Sequence, residues 1–79
     1  MTIREYKMLI LNSLSKFTSS VEIRDPIIRS YKRGFYLAEC LTIVKFALSA
    51  SNFSFNEKSE LLNWWDAKRA ETFDSYPWD

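Results

Sequence analysis

The chain has 79 residues, of which 47% are hydrophobic and 16% aromatic, and this composition excludes an intrinsically disordered segment. Its formal net charge of +1 provides no bulk attraction to polyanions, and its single glycine and two prolines argue against an all-β chain, whose tight turns rely on glycine. Because the chain has no histidine and one cysteine, it lacks the commonest general base, an internal disulfide and a cysteine zinc site, so we expect no enzyme, no metal and no cofactor.

The first predicted element is a helix that begins at Thr2. Thr2 and Glu5 have the spacing of a capping box, in which each side chain binds a free backbone amide of the first turn. Apolar residues then recur at helical spacing and form one stripe. This stripe consists of Ile3, Tyr6, Ile10, Leu14 and Phe17. The polar run at residues 18–20 predicts that the helix ends there in a loop.

The second predicted helix begins at Asp25 and Pro26, because aspartate caps a helix and proline suits its first turn. It runs toward Lys32. We expect a break or kink at Gly34, the only glycine. The alternative is one long helix that reaches Ala50, since a glycine inside a helix costs only about 1 kcal/mol relative to alanine.

Residues 35–50 are apolar on almost every side and too short to span a bilayer. Their polar side chains fall in one narrow stripe, as in a helix with a single solvent-facing edge. These side chains are Glu39, Thr42, Lys45 and Ser49. We therefore predict that this helix is the central helix of a bundle, covered on at least two sides, with Cys40 as a small buried apolar residue.

The last predicted helix begins with a second capping box, Ser54 with Glu57, and runs from Phe55 to residue 72 or 73. Trp65 faces the core, and Trp64 points about 100° away from it toward a charged edge. Residues 74–79 follow as an extended, aromatic and acidic tail.

The predicted fold is therefore all-α, a small bundle of three or four helices around residues 35–50. Residues 1–73 form a single helical domain that precedes the tail. The apolar surface is generous for so few helices, which makes a homodimer a further hypothesis. The absence of a secretory signal predicts a cytoplasmic location and no membrane association. The predicted core consists of Ile10, Leu14, Phe17, Leu37, Leu41, Val44, Leu48, Leu61 and Trp65.

Trp64 is the leading candidate for partner contact, because tryptophan surrounded by charge is typical of interface hot spots. In the alternative interpretation, Trp64 packs under the C-terminal tail. Residues 73–79 resemble a short recognition peptide that could dock into a groove on a partner. We favour a tail that folds back over the apolar helix 35–50, because a chain this small needs its aromatic residues for stability. The predicted partner-binding residues are Trp64, Lys68, Glu60, Tyr76 and Trp78.

Contact with another protein is the function that these features favour: an adaptor, inhibitor or regulator of a larger protein, of the kind that phages and plasmids often encode. One alternative is a nucleic-acid-binding regulator that uses a basic patch near residues 24–33. A helix-turn-helix motif is excluded there, because its second helix would be too apolar to lie in a DNA groove. Another alternative is a self-associating structural protein. The basic patch consists of Arg24, Arg29, Lys32 and Arg33.

Overall fold

A computed structural model describes residues 1–78, and Asp79, the last residue of the predicted tail, lies outside the described residues. Three α-helices account for most of the described part: α1 (Ile3–Ser19), α2 (Pro26–Ser49) and α3 (Phe55–Ser75). A 3-10 turn at Ser20–Glu22 follows α1. Residues 1–78 contain no strand, so the all-α prediction is confirmed.

The start of each helix is set by a side chain that binds its free backbone amides. The Glu5 amide donates to the Thr2 hydroxyl (3.1 Å), and the Thr2 amide donates to the Glu5 carboxylate (2.9 Å). Ser54 and Glu57 form the same reciprocal pair at α3. Asp25 accepts hydrogen bonds from two amides in the first turn of α2. Such caps stabilise a helix by about 1 kcal/mol each, and all three predicted starts are confirmed.

α2 continues through Gly34 without interruption, so the expected break at this glycine is wrong. Gly34 does not have the positive φ with which a glycine usually ends a helix. Cys40, Val44 and Ala47 of the same helix are buried against the other helices. This burial outweighs the cost of about 1 kcal/mol for one glycine inside a helix, and a single helix replaces the two that we expected.

α1 runs antiparallel to α2 and parallel to α3. Near the start of α1, the Tyr6 ring packs edge-on against Phe53, which lies in the turn between α2 and α3. At the other end, the hydroxyls of Ser20 and Tyr76 are hydrogen-bonded at 2.9 Å, which brings the ends of α1 and α3 together. α3 ends at Ser75, later than predicted, and residues 76–78 follow as non-helical chain.

The buried core lies where α1 faces both other helices. Leu37 and Leu48 are partly buried, and Leu41 is 42% exposed, so its assignment to the core is wrong. Leu41 lies on the flank of α2, away from the buried face that contains Val44 and Ala47. Three buried hydrophobic residues were not predicted: Ala47, Phe53 and Tyr76. Burial is confirmed for Ile10, Leu14, Phe17, Val44, Leu61, Trp65 and the separately predicted Cys40.

The three helices form an elongated body of 43 × 19 × 14 Å. Its radius of gyration is 13.6 Å, whereas a compact domain of this length has about 11.6 Å. Its accessible surface is 5449 Å², compared with about 5,000 Å² for a typical monomer of this mass. The other helices cover the inner face of α2 only, and its outer face is open.

Replacing Gly34 with alanine is expected to raise the free energy of unfolding by about 1 kcal/mol. The added methyl group meets no atom within 4 Å, and alanine favours the helix that the backbone already adopts. Urea denaturation would measure the change. Ala38→Gly, at an exposed position of the same helix, is the matched control and should lower stability by a similar amount. A destabilised Gly34→Ala variant would contradict a regular helix at this position.

Candidate functional site

The predicted tail residues Tyr76 and Trp78 belong to an aromatic cluster at the end of α1. The Tyr76 ring lies 4.7 Å from that of Phe17 and 4.8 Å from that of Trp78, measured between centroids. Tyr76 is 5% exposed. The Trp78 indole is half exposed and donates to the Phe73 carbonyl at 2.8 Å. The tail therefore folds back on the helices, and Tyr76 contributes to the core instead of an open surface.

Two of the four predicted basic residues contact their own fold. The Arg33 guanidinium lies over the rings of Tyr76 and Trp78, at 5.7 and 5.2 Å from their centroids, in the geometry of cation–π contacts. Arg29 donates to a backbone carbonyl of the connection between α1 and α2, at 3.0 Å. Arg33 and Arg29 are both partly buried, and only the other two residues of the predicted basic patch, Arg24 and Lys32, are exposed.

Trp64 is partly buried and packs against the core. The Lys7 ammonium lies 5.3 Å from its ring centroid, which places Trp64 near the start of α1. The aromatic tail packs near the end of α1 against Phe17, so Trp64 does not lie under the tail, as the alternative interpretation expected. A broad indole ring reaches back to α1 even though its side chain leaves α3 about 100° from Trp65.

The five predicted partner-binding residues do not form one surface. Tyr76 and Trp78 lie at one end of α1 and Trp64 at the other. Glu60 is exposed. Lys68 forms an ion pair with Glu71, with 3.8 Å between Nζ and Oε2, and exposed pairs of this kind contribute little to stability.

A surface that the sequence analysis missed runs along the outer face of α2. Ile27, Tyr31, Phe35 and Phe46 are exposed by 81, 69, 52 and 66%, and their spacing keeps them on one side of the helix. These four residues are called the α2 ridge below. Large apolar side chains exposed together along one helix face are typical of interaction sites. The sequence contained a signal for this surface, because residues 27, 31 and 35 continue the helical spacing of residues 38, 42 and 46 and therefore lie on the same side of one long helix.

A groove of about 360 Å³ lies between the two phenylalanines of the α2 ridge. Small side chains, Ala38 and Thr42, line its middle. On the side toward α1, Glu39 also lines the groove and accepts a hydrogen bond from the buried Ser13 hydroxyl at 2.5 Å. Lys45 is exposed beside the same stretch of helix. The outer face therefore combines two large aromatic rings, a shallow depression and one charge of each sign.

Metal ions and cysteine thiols are two common sources of catalytic chemistry. No group of three His, Cys, Asp or Glu side chains among residues 1–78 could hold a metal ion. Cys40 is fully buried, and burial raises the pKa of its thiol to about 11, which keeps it in the unreactive protonated form at neutral pH.

In the described part of the chain, no helix is long and apolar enough to cross a membrane.

Comparison with models of protein families, with curated proteins and with solved structures finds no match for this chain. The remaining guide to its function is its own surface, on which the α2 ridge exposes four large apolar side chains along one face of one helix.

One prediction from this site concerns Tyr76. Tyr76→Phe should lower the free energy of unfolding by about 1 kcal/mol, because it removes one buried hydrogen bond to Ser20. Tyr76→Ala should cost about 3–5 kcal/mol, because it also leaves a cavity beside Phe17. Denaturant unfolding measures both. Equal, small effects of the two substitutions would show that the tail does not belong to the core.

Another prediction concerns Cys40. Because the pKa of this thiol is about 11 and its side chain is buried, the native protein should resist alkylation by iodoacetamide at pH 8. Addition of denaturant should expose the thiol and restore the rate of a free cysteine. Mass spectrometry of the alkylated product measures both rates. Fast alkylation of the native protein would contradict the burial of Cys40.

Proposed function

We propose that this chain is a non-enzymatic protein-binding module, a small three-helix bundle that acts through the α2 ridge. One observation supports this most strongly: four large apolar side chains are exposed along one face of one helix. Burial of such side chains is the main favourable contribution to protein association. An adaptor, an inhibitor or a regulator needs no more chemistry than such a contact.

The rim of the α2 ridge indicates what its partner resembles. Arg24, Lys32 and Lys45 are exposed near it, and Glu39 is partly buried at its edge. A complementary surface would therefore be apolar in its centre and would place an acidic group opposite Lys45 and a basic group opposite Glu39, because opposite charges steer association and exclude wrong partners.

The aromatic residues first predicted to bind a partner support this function less well. Trp64 and Tyr76 are already packed against α1, so a partner could reach them only by displacing their present contacts. Exposure of a buried aromatic side chain costs roughly 1.5–3 kcal/mol. The α2 ridge requires no such rearrangement.

Nucleic-acid binding is the second candidate, favoured by the exposure of Tyr31 and Phe35 beside Lys32. Aromatic rings can stack on bases while lysine contacts phosphate. Arg29 and Arg33 support it less, because both already contact their own fold. Such binding would weaken steeply with salt concentration.

The proposed function is tested by capture experiments with a tagged chain, using as prey both native-host lysate and an untagged second copy. Phe46→Glu should lower the amount of captured protein at least tenfold, because a hot-spot residue contributes about 2 kcal/mol or more. Nuclease treatment should change nothing.

Met8→Glu is the matched control, since Met8 is exposed to the same degree (63%) on the outer face of α1 and the charge change is identical. This variant should capture as the wild type does. Capture that survives Phe46→Glu unchanged, or that disappears with nuclease, would contradict the proposal.

A further inference from the structure

We infer that the occupant of the α2 ridge is a second copy of this chain, packed antiparallel along α2 about a two-fold axis near Thr42. This inference rests on the proposed function, because it names the partner of the same surface. Three properties of the outer face of α2 support it: its area, its shape and its charge pattern.

The α2 ridge offers apolar area that a second copy can cover. With the axis near Thr42, the two α2 helices overlap along residues 35–49, which contain Phe35 and Phe46. A fully buried aromatic side chain contributes roughly 150–250 Å², so burial of these two rings in each copy is the main apolar gain of the contact. Ile27, Ile28 and Tyr31 extend past the end of the partner's α2. The single chain is also elongated and has more accessible surface than a typical monomer of its mass. A second copy packed on α2 would cover part of this surface.

The shape of the α2 ridge is self-complementary when two copies run antiparallel. The groove between Phe35 and Phe46 has Ala38 and Thr42 along its middle, and small residues there allow two helices to approach closely. With the axis near Thr42, Phe46 of the partner subunit lies opposite Ala38. Its ring then enters the groove as a knob enters a hole, and the symmetric contact forms at the same time.

The charge pattern also selects the antiparallel arrangement. Glu39 and Lys45 lie three residues before and three residues after Thr42. Rotation about an axis at Thr42 therefore places Glu39 opposite Lys45 of the partner subunit, and this pair occurs twice. In a parallel dimer, Glu39 and Lys45 would each face the same residue of the partner subunit, and like charges in contact repel.

Two further features fit the antiparallel arrangement. The Ser13 hydroxyl donates to Glu39 and holds its carboxylate at the edge of the groove. Lys32 is exposed, and in this register it lies just past the C-terminus of the partner's α2. A helix C-terminus attracts positive charge.

Sedimentation velocity over a wide range of concentrations tests the inference. The wild-type chain should show a reversible monomer–dimer equilibrium, and Phe46→Glu should raise the dissociation constant at least a hundredfold because it alters both symmetric contacts. Met8→Glu should behave as the wild type. Circular dichroism of each variant confirms that the helices remain.

A charge substitution tests the orientation without touching an apolar residue. Lys45→Glu should raise the dissociation constant about tenfold, because it replaces two attractive pairs with repulsive ones. Adding Glu39→Gln should recover part of this loss, since glutamine removes the repulsion and its amide oxygen still accepts from Ser13. No effect of Lys45→Glu on the dimer would overturn the antiparallel arrangement. In a parallel dimer, this substitution only replaces a repulsive contact between two lysines with a repulsive contact between two glutamates.

Failure of this inference and failure of the proposed function give different results. A wild-type chain that stays monomeric at every concentration overturns the second copy as occupant. If Phe46→Glu then still abolishes capture of a different protein, the α2 ridge is a binding surface for that protein and the proposed function stands. If Phe46→Glu alters neither sedimentation nor capture, both fail.

Discussion

The structure depends on one surface, the inner stripe of α1 formed by Ile10, Leu14 and Phe17, which are at most 5% exposed. Both α2 and α3 need this stripe to bury their own apolar side chains. Residues 1–78 contain three α-helices, and neither α1 nor α3 covers the opposite side of α2. The exposed α2 ridge is therefore a consequence of how α1 is shared between two helices.

The C-terminal aromatics follow from the same constraint. Phe17 lies at the last turns of α1, beyond the cluster around Leu61 and Trp65, and it needs cover of its own. Phe73, Tyr76 and Trp78 provide this cover, with ring centroids 4.7–5.9 Å from that of Phe17. Arg33 then lies over two of these rings. Side chains that resemble a recognition peptide are thereby used to complete a small core.

Local features of the fold could be predicted from the sequence, and features that depend on distant contacts could not. The three helix starts were predictable because a cap involves residues only a few positions apart, as with Thr2 and Glu5. Whether the helix continues through Gly34 could not be predicted, because the burial of α2 on α1 decides whether a glycine is tolerated there. Helical periodicity also identified most core positions. It does not reveal which apolar side chains lack a neighbour. Thr42, Lys45 and Ser49 were predicted to face solvent and do so, but the large apolar side chains beside them, Phe35 and Phe46, were expected to be covered and are exposed.

The composition of the α2 ridge favours a reversible contact over a permanent one. A stripe made only of phenylalanine and isoleucine would be as apolar as a domain core and would join copies in many registers. Thr42, Lys45 and Ser49 interrupt the outer face, and non-obligate interfaces have about the same polarity as the remaining surface. With a net charge of only +1, overall repulsion between chains is weak. In the proposed contact, selection of one partner and one register would therefore depend on the few charged positions on this face, because a wrong pairing brings like charges together or leaves a charge unpaired.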